Sequence, residues 1–143
     1  MALVPKLVSE LVIPEPVVLE ILNAGPNDPA AIWFRDHGKP FTRPVVAELP
    51  GLAGSGIGAG ERAVISWAGT HPGFIAVLDD LEARVTAQRL GIKIIGTVGV
   101  ILRLKETGLI AEAKKHLQKV RNVGGYISDD LFSQALRQVG EKP

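Results

Sequence analysis

The chain has 143 residues, of which 46% are apolar and 22% charged, as expected for one globular domain spanning residues 1–143. Its net charge of +1 argues against a polybasic coat protein, and the absence of cysteine excludes disulfide scaffolds, zinc ribbons and thiol catalysis. No stretch reaches the roughly 18 apolar residues of a membrane span, and the N-terminus lacks a signal layout. We therefore expect a cytoplasmic protein with no membrane partner.

The first half of the chain alternates short apolar runs with helical patterns. Pro14 ends the first apolar run, Pro16 favours a helix start, and Asp28 before Pro29 is typical of a helix N-cap. The predicted elements are a strand at 11–13, helices at 16–22 and 28–38, a weak strand at 45–49, a glycine-rich loop at 51–60 and a helix at 61–68.

The second half repeats this alternation and then becomes helical. Residues 74–78 are continuously apolar, which is typical of a strand buried on both faces of a sheet. The predicted elements are strands at 74–78 and 92–95 and helices at 79–90, 97–106, 111–122 and 129–139. Strands separated by helices predict an α/β fold with a mostly parallel sheet flanked by helices.

Four carboxylates are candidates for a functional site. Asp79 and Asp80 follow an apolar strand, where ligands of open α/β sheets bind, although one of them is also suited to cap the next helix. Glu20 borders the apolar stripe of its helix and needs a partner, which an ordinary ion pair also provides. Glu61 lies in a first helical turn, which the helix dipole alone explains. Converging oxygens suit Mg²⁺ or Mn²⁺, but the spacing alone does not show convergence.

The glycine-rich loop offers a competing interpretation. Residues 54–59 match the G-x-G-x-x-A pattern of dinucleotide-binding proteins, and Asp79 follows at the distance of the ribose-binding acid. That pattern opens directly from a strand, whereas Pro50 and the three residues after it intervene here. Saturable NAD binding abolished by Gly56→Val is the result that this alternative predicts.

The remaining polar and aromatic residues are assigned structural roles. His37, His71 and His116 lack metal-ligand spacing, and Trp33, Trp67 and Tyr126 are interpreted as packing residues rather than stacking platforms. The basic residues of the last third are interpreted as a solvated helix face, with phosphate contact left open. They are Arg103, Lys105, Lys114, Lys115, Lys119 and Arg121.

Several motifs, in order along nearly the whole chain, resemble those of PIN-domain proteins. They are Ile13-Pro14-x-x-Val17-x-x-Glu20, Gly58-x-Gly60-Glu61-x-x-Val64-Ile65, Leu78-Asp79-Asp80-x-x-Ala83-Arg84, Ile95-Gly96-Thr97-x-Gly99-Val100 and Tyr126-Ile127-Ser128-x-Asp130-Leu131. In the second motif Val64 replaces an alanine. Together they resemble a branch of prokaryotic predicted nucleic-acid-binding proteins with a PIN-like fold.

The resemblance implies a metal-dependent ribonuclease. Glu20, Glu61 and Asp79 would hold Mg²⁺ or Mn²⁺, with Asp80 as a further catalytic residue and Thr97 helping to position the site. The implied partners are single-stranded RNA, an antitoxin protein if the chain is the toxin of a toxin–antitoxin pair, and a second copy of the chain. The alternative is a non-catalytic PIN relative that binds nucleic acid or a partner protein.

One departure from the family concerns the beginning of the chain. Family members normally begin with a strand that carries an Asp, followed by Ser or Thr and a helix. This sequence resembles a chain that enters after that strand, in the region of residues 3–7. We expect a misassigned start or a shortened form, and with it a gap or an unusual edge in the sheet.

Overall fold

Short strands alternate with helices along residues 2–143, which are the residues that the computed structural model describes. The helices are α1 Val4–Leu7, α2 Glu15–Asn23, α3 Pro29–Trp33, α4 Ala59–Thr70, α5 Leu81–Arg89, α6 Thr97–Glu106, α7 Ala113–Asn122 and α8 Asp129–Gln138. The strands are β1 Ile13–Pro14, β2 Thr42–Arg43, β3 Ala76–Val77 and β4 Ile94–Ile95. A π-helical turn, Phe34–Gly38, and a 3-10 turn, Lys39–Phe41, follow α3.

The α/β prediction is confirmed, since every strand pair is parallel and the connections between paired strands contain helices. β1 pairs with β2, placing Ile13 opposite Thr42, and β3 pairs with β4, placing Ala76 opposite Ile94. The four strands form two separate two-stranded sheets rather than the one sheet that the sequence pattern predicts. None of the helices among residues 2–143 is long and apolar enough to cross a membrane.

Two strand predictions are wrong. Residues 45–49 form no strand, because the Leu49 amide donates to Ser66 Oγ of α4 at 3.1 Å instead of to a neighbouring strand. The strand that pairs with β1 is β2, which lies just before this segment. The run at 74–78 is not buried on both faces, since Ile75 and Val77 are 39% and 49% exposed.

The described residues form two compact units, Glu10–Gly96 with Ala2, and Leu3–Ser9 with Thr97–Pro143. In the first unit, α4 packs against α2, β1, β3 and α5, and its Ile65 is fully buried. Its core comprises Leu52, Ile57, Ile65, Ala68, Ala76, Leu78, Ala83, Ala87 and Ile92. α4 is thus the central helix of the unit that contains the four candidate carboxylates.

In the second unit, α6, α7 and α8 enclose a core around the fully buried Leu117 and Leu136. α7 begins without a side-chain cap of its own. Glu141 supplies the cap instead, accepting hydrogen bonds from the amides of Ala113 at 2.7 Å and Lys114 at 3.0 Å. The chain's C-terminal segment is thereby fixed to the start of α7.

Candidate functional site: carboxylates around the start of α4

Helix α4 begins at a glycine-rich turn and carries Glu61 in its first turn. Gly58 is the N-cap residue, and Glu61 Oε2 accepts a hydrogen bond from the Gly58 amide at 3.3 Å. Acidic groups are favoured here because the first amides of a helix lack internal partners. Glu61 therefore stabilises the helix start, as its position in the sequence indicates.

Glu20 reaches the same helix start from α2. Its Oε1 accepts the Gly60 amide at 3.0 Å, so it supplies a tertiary cap to a helix forty residues further along the chain. A Cβ built on Gly60 would lie 2.5 Å from Glu20 Oε2, so a glycine allows this close approach. The partner that Glu20 requires is thus a backbone amide rather than a basic side chain.

Asp79 and Asp80 have different environments at the end of β3. Asp80 is the N-cap of α5, and its Oδ1 accepts the Ala83 amide at 2.9 Å. Asp79 lies beside Gly96, where a built Cβ would be 3.0 Å from Asp79 Oδ1 and 2.8 Å from Arg84 Nη1. Arg84 is itself oriented by a 2.8 Å hydrogen bond to the carbonyl of Leu78.

The carboxylates influence one another through their charges. Partial burial raises the pKa of Glu61, and the negative charges of Asp80, Glu20 and Glu82 raise it further, against the lowering effect of the Gly58 amide. Glu82 was not among the sequence candidates, although it lies two residues after Asp80. A Cβ built on Gly56 would lie 3.1 Å from its Oε2, so the glycine-rich loop runs past this carboxylate.

Oxygen-rich groups of this kind have the donor chemistry that Mg²⁺ and Mn²⁺ prefer. Glu20, Glu61 and Asp80 each use one oxygen in a helix cap and retain a second oxygen. Across residues 2–143, however, no three acidic or histidine side chains are grouped closely enough to hold one ion. The donors fit such a metal chemically, but their arrangement in this conformation is that of helix caps.

The remaining sequence candidates are Thr97, the histidines and the glycine-rich loop. Thr97 begins α6 and directly follows Gly96, the glycine beside Asp79. His71 stacks on Trp67 at 3.8 Å between ring centroids, consistent with a structural role. The dinucleotide-binding alternative lacks the strand that must open its glycine turn, since residues 44–58 contain no strand.

The sequence matches the profile of a family described as PIN domain over residues 1–141. The chain therefore belongs to the PIN domain family, as the resemblance of its motifs indicates. No curated protein and no solved structure matches the chain.

The raised pKa of Glu61 predicts a specific pH dependence of stability. Because the folded state binds this proton more tightly than the unfolded state, ionised Glu61 carries a penalty at neutral pH. That penalty disappears as the pH falls through the raised pKa of Glu61 in the folded state toward its ordinary pKa of 4.5. We expect wild type to gain stability relative to Glu61→Gln over this window, measured by urea unfolding. A difference that is constant with pH contradicts the prediction.

Proposed function

We propose that this chain is a Mg²⁺- or Mn²⁺-dependent endoribonuclease of the PIN type, which cleaves single-stranded RNA in the cytoplasm as the toxin of a toxin–antitoxin pair. Its expected protein partners are an antitoxin and a second copy of the chain. The observation that carries the proposal is that Glu61 and Glu20 reach the same helix start, where they accept the amides of Gly58 at 3.3 Å and Gly60 at 3.0 Å. Burial, and then the charges of Asp80, Glu20 and Glu82, raise the pKa of Glu61. A divalent cation relieves such repulsion between carboxylates.

In this proposal Glu20, Glu61 and Asp79 hold the metal and Asp80 completes the catalytic set. A bound ion of this type supplies an activated water and offsets negative charge on the phosphodiester. The chain's own contribution is to fix the carboxylates: α2 directs Glu20 and α4 directs Glu61 to the helix start, while β3 places Asp79 beside Arg84.

A second candidate function is a PIN relative that binds RNA or a partner protein without cleaving it. It is favoured by a specific observation: Glu20, Glu61 and Asp80 all accept backbone amides at helix starts. These bonds give each carboxylate a structural role that is independent of catalysis.

Cleavage of a labelled single-stranded RNA in Mn²⁺, with and without EDTA, distinguishes the two functions. The nuclease proposal predicts EDTA-sensitive cleavage. Asp79→Asn should slow this cleavage at least tenfold, which corresponds to an activation free energy higher by about 1.4 kcal/mol. Glu10→Gln is the matched control, because Glu10 is an exposed acid that is not among the carboxylates of the candidate site. Those carboxylates, which we call the carboxylate cluster, are Glu20, Glu61, Asp79, Asp80 and Glu82. Equal cleavage by wild type and Asp79→Asn would point to a contaminating enzyme, and no cleavage by wild type would favour the binding function.

A further inference from the structure

The link between α7 and α8 carries two large side chains in solvent. Tyr126 is 92% exposed and Val123 is 83% exposed. The interpretation of Tyr126 as a packing residue is therefore wrong. Isolated exposed apolar residues are common, but the side chain of this tyrosine is almost fully exposed to solvent.

The link is held in place at both ends. The Gly125 amide donates to the Val120 carbonyl at 2.9 Å, and a Cβ on Gly125 would approach that oxygen to 2.8 Å. Beyond Tyr126, the buried Ile127 has its carbonyl bound by Arg121 Nη2 at 2.9 Å. The backbone on both sides of Tyr126 is therefore anchored, and the ring projects from it into solvent.

Arg121 is the residue that organises this anchor. Its guanidinium also contacts Asp129 Oδ1 at 2.8 Å and lies 4.4 Å from the centroid of the Phe132 ring. Asp129, an acid close to Tyr126 along the chain, is thereby paired with a basic group. Arg121 itself is used in structure, so it is excluded from the binding surface inferred below.

α7, the helix that leads directly into this link, carries exposed lysines on its outer face. Ala113 and Leu117 face the core, whereas Lys115 and Lys119, one turn apart, are both exposed. Lys115 lies 3.4 Å from Glu112, and Lys119 forms no ion pair within the described part of the chain. The second unit has nine basic and five acidic residues, whereas the first has seven and ten.

We propose that the outer face of α7 and its link to α8 bind single-stranded nucleic acid, with Lys115 and Lys119 at phosphates and Tyr126 stacked on a base. The helix dipole accounts for a lysine in the last turn of α7, but it does not account for the anchored, exposed tyrosine. A basic surface beside an exposed ring matches a partner that carries both phosphates and base faces. Lysine contacts to phosphates and base stacking on an aromatic ring are the two features by which single strands are bound without sequence preference.

This inference deepens the proposed function, because the link between this surface and RNA cleavage rests on that function. The test below separates binding at the surface from cleavage. Fluorescence anisotropy of a labelled oligo-uridylate is measured with the full chain in EDTA, where metal-dependent cleavage does not occur. We expect Tyr126→Ala to weaken binding about tenfold, because base stacking contributes about 1–3 kcal/mol, whereas Tyr126→Phe retains most of the affinity. Lys119→Ala should also weaken binding and reduce the salt slope by about 0.7 between about 50 and 200 mM salt.

Lys39→Ala is the matched control, because Lys39 is an exposed lysine in the first unit. We expect each variant to have the thermal stability of wild type, because the altered side chains are exposed, and thermal unfolding checks this before affinities are compared. The surface is overturned by undetectable binding of wild type, by equal affinities of wild type and Tyr126→Ala, or by loss in Tyr126→Phe equal to that in Tyr126→Ala. Tyr126-dependent binding without any cleavage in Mn²⁺ supports the surface and rejects the nuclease.

Discussion

Ile65→Ala is expected to lower the free energy of unfolding by about 3 kcal/mol. Ile65 is fully buried in α4, and it packs in the core with Leu78 and Ala83, which flank the Asp79-Asp80 pair. Truncation removes buried apolar surface and leaves a cavity, and both effects destabilise. Glu61 lies one turn earlier on the same helix, so the core that Ile65 fills also holds the helix that carries Glu61.

Urea unfolding of wild type and variant measures this loss. Ile32→Ala is the matched control, because Ile32 is 44% exposed in α3 and the same atoms are removed from a partly solvated site. The control should change stability by less than about 1 kcal/mol. Equal losses at the two positions would show that α4 is not packed as described.

Glu141→Ala is expected to cost about 2 kcal/mol at neutral pH, although the residue is third from the C-terminus. The substitution leaves the amides of Ala113 and Lys114 without their acceptor and removes the partner of Lys105, whose Nζ lies 3.5 Å from Glu141 Oε1. Burial acts to raise the pKa of Glu141, but these two amides and the Lys105 charge outweigh it and lower the pKa.

The lowered pKa fixes the direction of the pH dependence. The contribution of Glu141 is fully present above 4.5, its ordinary value, and is lost as the pH falls through the lower folded value. The difference between wild type and Glu141→Ala should therefore shrink in strong acid. Glu112→Ala, which removes an exposed pair with Lys115, is the control and should change stability by less than about 1 kcal/mol at every pH. A loss for Glu141→Ala no larger than this would contradict the capping role.

The helices were predictable because their start signals are local. Asp28 and Asp80 cap helices where the sequence predicts, since a short polar side chain satisfies amides only a few residues away. The strand predicted at 45–49 is absent, because an apolar run does not reveal the hydrogen-bond partner of its backbone. That partner is Ser66, seventeen residues further along the chain. Tertiary contacts of this kind override a local strand pattern.

The carboxylate cluster was predictable in part. The position of Glu20 on its helix indicates the need for a partner, but only the fold brings the Gly60 amide to it. Glu82 lies in a first helical turn as Glu61 does, but it occupies an unspecified position of the Leu78-Asp79-Asp80-x-x-Ala83 motif, so the sequence did not mark it. Tyr126 was misassigned because aromatic residues are buried more often than exposed, and no local pattern marks an anchored loop.

Thermal unfolding of the chain across a Mn²⁺ titration, beside Asp79→Asn and Glu10→Gln, tests the central claim most directly. A ligand that binds only the folded state adds about 2.7 kcal/mol at about 100 times its dissociation constant. We expect a rise in Tm for wild type and Glu10→Gln that Asp79→Asn abolishes, because Glu20, Glu61 and Asp79 together hold the ion in the proposed site. An unchanged Tm in wild type, or the same rise in all three proteins, would contradict a metal site at these residues.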